Sequence, residues 1–207
     1  MSDISGYKHE DASLNEAHGY LLPATIDLLK RTSSSVREKT LFDLGCGNGS
    51  IANRIAELGF RVTGVDPSVE GVAQANRHYP NLNVRIGSAY EDLRSQFGTF
   101  SYVLSLEVVE HLYSPKIFAS NVYNLLDDGG YAIISTPYHG YFKNLALAAT
   151  NKFDKHFTVM WDHGHIKFWS INTLTRLLKE AGFKSVEFKR LGRIPPLAKS
   201  MIAIARK

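Results

Sequence analysis

Short apolar runs alternate along this chain with segments whose apolar residues recur every three or four positions. The runs predict strands at 39–44, 61–65, 83–86, 101–105 and 131–136. The segments between them predict helices over about 50–58, 69–78, 115–126 and 171–181. Regular alternation of strands and helices is typical of an α/β fold, with a mostly parallel sheet layered with helices on both faces.

The two ends of the chain depart from this alternation. Residues 10–31 have apolar positions at helical spacing that Pro23 interrupts, which predicts two helical pieces or one kinked helix. Residues 183–190 and 199–206 predict two strands, and their short connection favours an antiparallel hairpin. We expect a single domain over 1–207, with a helical cap at 1–36 and a lid-like insertion at 137–169.

Composition narrows the class of protein without assigning a function. The 207 residues carry a formal net charge of +4 and one cysteine, Cys46. A disulfide framework within the chain is excluded, and dense basic blocks of a dedicated nucleic-acid binder are absent from the sequence. Without a signal-peptide pattern or an apolar run of membrane-spanning length, we expect a cytoplasmic protein, at most peripheral to a membrane.

The strongest local pattern follows the first predicted strand. Asp43 ends the apolar run, and Gly45, Gly47 and Gly49 follow at every second position before a helix begins. Glycine permits a tight turn and close approach to a ligand, and the helix N-terminus behind it offers free N–H groups. Asp66 ends the second strand, 21 residues beyond Gly45, where an acid accepts hydrogen bonds from ribose hydroxyls.

These residues resemble the first motifs of the class I S-adenosylmethionine-dependent methyltransferases, an acid followed by Gly-x-Gly-x-Gly. The resemblance implies a three-layer Rossmann-like fold with a mostly parallel seven-stranded sheet and a terminal antiparallel hairpin. It also implies S-adenosyl-L-methionine as cofactor and S-adenosyl-L-homocysteine as product. Many relatives carry an acid where Ser88 stands, so Ala89 or Tyr90 is expected to serve the adenine instead. The implied cofactor-binding residues are Asp43, Gly45, Cys46, Gly47, Asn48, Gly49, Asp66, Pro67, Ser68, Ala89, Tyr90 and Leu106.

A second cluster, Glu107, Glu110 and His111, follows the fourth strand. On a helix, the i, i+3, i+4 spacing would put these three side chains on one face, and two carboxylates with an imidazole can bind a divalent cation. The alternative is a surface helix start whose acids complement the helix dipole. For catalysis, the candidates are Glu107, Glu110, His111, His139 and His165.

The Glu-x-x-Glu-His motif resembles two subgroups of the family. One is the ubiquinone-biosynthesis O-methyltransferases, which act on polyprenyl catechols; the other is the small-RNA 3′-terminal 2′-O-methyltransferases, which add a later histidine as metal ligand. His165 is the best match for that histidine and His163 is the second. The resemblance therefore implies a Mg²⁺ or Zn²⁺ site with the ligands Glu107, Glu110, His111 and His165.

The histidine-rich stretch 137–169 admits three interpretations. It forms a lid over an apolar acceptor pocket, it contacts a membrane through 138–155, or its aromatic residues simply pack in the core. We expect O-methylation of a small aromatic or lipophilic acceptor, with or without a metal. The alternatives are RNA 2′-O-methylation, small-molecule N-methylation and a nucleotide-binding scaffold without activity. The glycine spacing disfavours an NAD-linked oxidoreductase, and the sequence specifies neither the acceptor nor the oligomeric state.

Overall fold

One seven-stranded sheet organises the computed structural model, which describes residues 18–157, 159–162 and 164–207. The strands are β1 (Thr40–Leu44), β2 (Arg61–Asp66), β3 (Asn83–Ile86), β4 (Phe100–Leu106), β5 (Leu126–Pro137), β6 (Ser185–Leu191) and β7 (Ser200–Arg206). Their order across the sheet is β3-β2-β1-β4-β5-β7-β6. The first five strands are parallel, and β7 runs antiparallel to both β5 and β6. The mostly parallel sheet and the terminal hairpin are therefore confirmed.

The helices lie mostly where the apolar spacing predicts them. They are α1 (His18–Thr32), α2 (Ser50–Ala56), α3 (Val69–His78), α4 (Leu93–Phe97), α5 (Pro115–Leu125), α6 (Tyr141–Ala149), α7 (Phe153–Phe157) and α8 (Ile171–Glu180). Helix α3 has the predicted bounds, and the Ser68 side chain caps it by accepting from Gly71 N. Helix α4 was not predicted, because five residues with one buried apolar side chain show no periodicity. None of the helices in these ranges has the length and apolarity to cross a membrane.

Two further details of the sequence interpretation change. Within the described residues, α1 is one helix that contains Pro23, and residues 1–17 of the predicted cap lie outside them. The sequence Asp-Asp-Gly-Gly at 127–130 is typical of a turn between α5 and the next strand, but these residues belong to β5. The pairing of β5 with β4 shifts register between Phe100 and Tyr102, so the Asp-Asp-Gly-Gly sequence marks a bulge inside a strand.

Both faces of the sheet are covered by apolar side chains. Leu41 and Phe42 are adjacent in β1 and fully buried, yet they belong to different apolar clusters because side chains alternate along a strand. One cluster contains Leu21 and Ile55 from α1 and α2, and the other contains Phe118 from α5. The parallel strands therefore end at a common carboxyl edge that is framed by helices from both faces.

Gly64 in β2 gives a test of how tightly this edge is packed. A Cβ at Gly64 would lie 2.8 Å from Cys46 Sγ and 2.9 Å from Cys46 Cβ, inside the buried glycine loop. We expect Gly64→Ala to lower the free energy of unfolding by about 1–3 kcal/mol, because overpacking displaces neighbouring atoms. Urea denaturation measures this change.

Gly19→Ala is the matched control. Gly19 lies in α1, and a Cβ there meets no atom of the described residues within 4 Å. Replacing a helical glycine with alanine should raise stability by about 0.5 kcal/mol. Equal effects of the two substitutions would contradict close packing of Gly64 against Cys46.

Candidate functional site

The glycine loop leaves the carboxyl end of β1 with three left-handed residues. The φ angles of Gly45, Gly47 and Gly49 are 88°, 52° and 75°, a region that side chains other than glycine rarely occupy. Gly45 N and Cys46 N both donate to Val65 O, at 2.8 and 3.1 Å, which anchors the loop to β2. A Cβ at Gly45 would lie 2.4 Å from Val108 Cγ2, so the segment after β4 presses directly on the loop.

Asp66 joins the glycine loop to the start of α3. Its Oδ2 accepts from Gly47 N at 2.8 Å, and its Oδ1 accepts from Ser68 N at 2.8 Å. Ser68 is fully buried and caps α3, so a single carboxylate fixes two neighbouring loops at the end of β2. Asp66 therefore lies at the predicted place and shapes the ends of both loops.

Asp43 is buried beside this loop without a complete set of hydrogen bonds. The residue is 3% exposed, and its Oδ2 has no hydrogen-bond partner in the described part of the chain. Burial, with a smaller contribution from Asp66, raises the pKa of Asp43 to about 7. A buried carboxylate that lacks a partner favours a ligand bearing positive charge, and S-adenosylmethionine carries an ammonium and a sulfonium. The left-handed glycines and this carboxylate fit that cofactor.

The remaining residues predicted to bind the cofactor line the same edge. Asn48 Oδ1 accepts from Ser50 N at the start of α2, and Cys46 is a buried filler against Gly64. Beyond β3, Ala89 O accepts from Asn121 Nδ2, and the half-exposed Tyr90 accepts from Ser114 N through its hydroxyl. The two others, Pro67 and Leu106, are partly buried at the ends of β2 and β4.

The helical interpretation of residues 107–111 is wrong. Glu107 has a φ of 55°, and only Val109–His111 form a 3-10 turn. Glu107 N donates to Ser135 Oγ, and Ser135 Oγ donates to Glu107 Oε1 at 2.7 Å. Ser200 Oγ lies 3.5 Å from Glu107 Oε2. The Glu107 carboxylate therefore faces the ends of β5 and β7, and burial raises its pKa to about 7.

Three of the four predicted metal ligands come together. Glu110, His111 and His165 each offer a ligand atom, and these atoms lie within 4.8 Å of one another. Glu107 is not part of this group. Residue His163, the second choice for the later histidine, lies outside the described residues. The structure thus brings His165 to Glu110 and His111, two adjacent residues that lie more than 50 positions earlier in the sequence.

Glu110 is the most unusual member of this group. It is 1% exposed, and neither carboxylate oxygen meets hydrogen-bond geometry with any group in the described ranges. Its Oε1 lies 4.0 Å from His165 Nε2. Burial first, and then the charge of Glu107, raise the pKa of Glu110 well above its usual value. A buried carboxylate in this state needs a proton or a cation.

Both imidazoles are held in orientations that suit cation binding. His111 Nδ1 lies 3.2 Å from Gly164 O, and because a carbonyl only accepts, the lone pair of the neutral ring is on Nε2. Metal-binding histidines commonly donate their second nitrogen in this way. Burial lowers the pKa of His165 to about 4, so its ring is neutral. The donor set therefore fits a divalent cation.

His139, the remaining catalytic candidate, does not belong to this group of three ligands. It is buried between β5 and α6, with its ring centroid 5.4 Å from that of His156 and 5.1 Å from that of Phe168. The ring stacks on Phe157 at 6.1 Å. Burial lowers the pKa of His139 to about 4, so its ring is neutral. Its contacts with Phe157 and Phe168 make it part of an aromatic wall beside the site.

Sequence reasoning missed three polar residues at this edge. Ser135 and Ser200 hold Glu107, and their only sequence signal is a hydroxyl at the carboxyl end of one apolar strand and the start of another. Lys143, one of several lysines in the predicted lid, is 8% exposed and donates through Nζ to Lys199 O at 3.1 Å. Its burial depends on the packing of α6, which no local pattern reveals.

Comparison with known proteins agrees with this geometry. A family model described as a methyltransferase domain matches residues 16–187. A ubiquinone biosynthesis O-methyltransferase of Caulobacter sp. (strain K31) is 38% identical over 112 residues, which cover 52% of this chain and 44% of that protein. One from Burkholderia pseudomallei is 27% identical over 167 residues, covering 78% of this chain and 71% of that protein. The chain thus spans less than half the length of the Caulobacter relative.

Solved structures share the fold at low sequence identity. The methyltransferase domain of bacterial CtHen1 has a TM-score of 0.69 at 19% identity, with 93% of this chain and 100% of that chain covered. The magnesium protoporphyrin IX methyltransferase from Synechocystis PCC 6803, solved with S-adenosylhomocysteine, has a TM-score of 0.68 at 18% identity and coverages of 90% and 82%. Because the family model covers well over half of the sequence, this chain belongs to the class I S-adenosylmethionine-dependent methyltransferases.

Proposed function

We propose that this methyltransferase methylates a hydroxyl oxygen of a small aromatic or lipophilic acceptor, and that a divalent cation at Glu110, His111 and His165 assists. The observation that carries the proposal is the buried Glu110 carboxylate, which has no hydrogen-bond partner in the described part of the chain and is grouped with two imidazoles. Relatives described as O-methyltransferases, 27–38% identical, support the choice of oxygen. The aromatic wall around His139 supports an acceptor with an aromatic or apolar body.

Residues of the glycine loop would hold the cofactor. Asp43 provides the negative charge for its cationic end, while Gly45 and Gly47 let the backbone pass close to it. Asp66 is assigned to the ribose, and Pro67 and Ser68 to the adenine. The cofactor supplies an electrophilic methyl group, so the chain's task is to place the acceptor oxygen in line and deprotonated.

The cation site and Glu107 would each contribute to orienting and deprotonating the acceptor oxygen. A divalent cation lowers the pKa of a hydroxyl and orients it. One carboxylate and two imidazoles favour Zn²⁺ or a similar ion over Mg²⁺, which prefers oxygen ligands. Glu107, held by Ser135 and Ser200 next to the glycine loop, is placed to accept the hydroxyl proton. Its raised pKa, about 7, suits a group that gains and releases a proton near neutral pH.

The charge of Asp43 gives a prediction about stability and pH. Because the pKa of Asp43 is about 7 when folded and lower when unfolded, the folded chain without cofactor holds an extra proton between these values. Protonated Asp43 therefore contributes to the stability of the folded chain. This contribution is fully present below the unfolded pKa and is lost as the pH rises towards 7. Asp43→Asn removes this loss, so from pH 5 to 7 its stability relative to wild type should rise by about 1.4 kcal/mol per pH unit at most.

Urea denaturation of both proteins at several pH values measures this difference. Titration calorimetry with S-adenosylmethionine supplies the second readout, since Asp43→Asn should also weaken cofactor binding by about tenfold or more. Parallel pH profiles together with unchanged cofactor affinity would show that Asp43 is not the partner of the cofactor's charge.

The metal site is tested by binding and by activity. Zn²⁺ should raise the melting temperature of protein first treated with a chelator, because an ion bound only by the folded state stabilises it. Glu110→Ala and His165→Ala should lose this shift and most of the methyl transfer from labelled S-adenosylmethionine to catechol. His78→Ala is the matched control, since His78 is exposed on α3. Methyl transfer that is insensitive to the chelator and has near-normal rates in both site variants would contradict the proposal.

The exposed side of α6 supports contact with a membrane that holds a lipophilic acceptor. Tyr141, Phe142 and Leu145 are 75%, 63% and 51% exposed on this helix, beside the site. Large exposed apolar side chains on one short helix are typical of an interfacial segment. We propose that 138–155 rests on the bilayer surface.

Vesicles of phosphatidylcholine and phosphatidylglycerol test this contact by co-sedimentation. The double variant Phe142→Ser with Leu145→Ser should lose most of the bound fraction. Ile117→Ser on α5, which also removes an exposed apolar side chain, should leave binding unchanged. Equal sedimentation of all three proteins would exclude α6 as a membrane contact.

A further inference from the structure

Lys143 is a buried ammonium with an incomplete set of partners. The residue is 8% exposed, although lysine is almost never buried without a counter-charge. Of its three N–H donors, one donates to Lys199 O at 3.1 Å. Within the described ranges no other hydrogen bond and no ion pair involves its Nζ. A buried cation satisfied by a single neutral carbonyl is costly for the folded state.

The charges around Lys143 provide little negative charge to balance its ammonium group. Glu107 is the carboxylate whose charge favours the ammonium, whereas burial and Arg193 oppose it, and the pKa of Lys143 falls to about 8. Burial lowers the pKa values of His139, His156 and His165, and the charge of Lys143 adds a smaller effect in the same direction. Lys143 also lies in the first turn of α6, where the helix dipole disfavours a cation. Of the charged groups that act on Lys143, Glu107 is therefore the one that offsets the ammonium, and a ligand with negative charge would offset it further.

The position of Lys143 ties it to the site of methyl transfer. Lys199, its carbonyl partner, directly precedes Ser200, whose Oγ lies 3.5 Å from Glu107 Oε2. Glu107 in turn precedes Val108, whose Cγ2 lies against Gly45 of the glycine loop. A cation and a carboxylate thus face the same edge, beside the loop that holds the cofactor.

This pairing suits one kind of acceptor group better than others. A carboxylate can take the proton of a hydroxyl while a neighbouring ammonium binds the resulting oxyanion. A doubly charged phosphate would instead meet two carboxylates, those of Glu107 and Glu110, at the same edge of the sheet. The rings of His139, Phe157 and Phe168 provide a flat apolar wall for the body of the acceptor.

We propose that Lys143 binds the acceptor as an oxyanion, and that it thereby selects acceptors whose hydroxyl group is acidic. This inference rests on the proposed O-methylation. In the reaction the hydroxyl proton passes to the Glu107 carboxylate, and an electron pair of the oxyanion forms the new O–C bond. The C–S bond breaks with its electron pair on sulfur, which leaves a neutral thioether and a neutral methyl ether. Lys143 thus distinguishes ionised hydroxyls from neutral ones.

The test uses 4-nitrocatechol, whose colour reports its ionisation, bound to the enzyme saturated with S-adenosylhomocysteine. All samples contain a chelator, so that a metal makes no contribution to the ionisation. In the wild type the bound probe should ionise at least one pH unit below the free probe, equivalent to about tenfold tighter binding of the anion. Lys143→Met should abolish this shift, and Lys143→Arg should retain most of it.

A neutral probe and the cofactor product serve as controls. 4-Nitroveratrole, the dimethyl ether of the same compound, cannot ionise and should bind wild type and Lys143→Met equally. The thermal shift with S-adenosylhomocysteine should be the same in both, which establishes that the variant is folded. An unchanged ionisation of bound 4-nitrocatechol in Lys143→Met, or equal loss of both probes, would overturn the assignment of Lys143.

Methyl transfer to catechol separates this inference from the proposed function. Transfer by the wild type with an unaltered probe ionisation in Lys143→Met would reject Lys143 alone. A probe shift that depends on Lys143, without transfer to any hydroxyl compound, would reject O-methylation and leave an anion-binding site in place.

Discussion

The close contact of Val108 with Gly45 is the constraint on which the site depends. The Val108 side chain fills the space that a Cβ at Gly45 would need, so the chain after β4 must pass directly over the glycine loop. A regular helix cannot start there, and Glu107 adopts a left-handed conformation that costs about 1 kcal/mol or more. Two hydrogen bonds from Glu107 N to Ser135 hold that conformation in place. The turn sends Glu107 towards β5 and β7 and Glu110 towards His165.

This turn separates the carboxylates of Glu107 and Glu110, which are three positions apart in the sequence, and gives them different surroundings. Glu107 accepts hydrogen bonds from two serines, whereas Glu110 has no hydrogen-bond partner in the described residues. Burial, and then the charge of Glu107, raise the pKa of Glu110, because neighbouring negative charges repel. Together with Asp43 and Lys143, they place four ionisable groups, three of them buried and Glu107 partly buried, at one edge of the sheet, at a cost to stability that packing elsewhere must offset. Such a cost is typical of a functional site.

The sequence predicts the framework well because its signals are local. Helix α3 begins at a serine cap and ends just before Pro80, and the strands are short apolar runs, so their bounds can be read from neighbouring residues. The glycine loop and Asp66 follow from a spacing of 21 residues within one strand–helix–strand unit. The helix predicted at 107–111 is wrong because helical spacing is also a local signal. It takes no account of the contact of Val108 with Gly45, which prevents a regular helix there. That contact joins residues 63 positions apart and leaves no mark on either segment.

The acceptor side of the site is assembled from distant parts of the chain. His165 reaches Glu110 because Ile166 N and Lys167 N both donate to Glu110 O, which fastens the segment after the lid to the 3-10 turn. Lys143 reaches the same edge because Tyr138 N and Lys143 Nζ both bond to Lys199 O. A substitution in α6 or β7 can therefore change the acceptor while the glycine loop and its cofactor stay the same. In the proposed function, most of the cofactor-binding residues lie between 43 and 68, whereas the acceptor side depends on how four remote segments meet, and this separation would let one framework serve many acceptors.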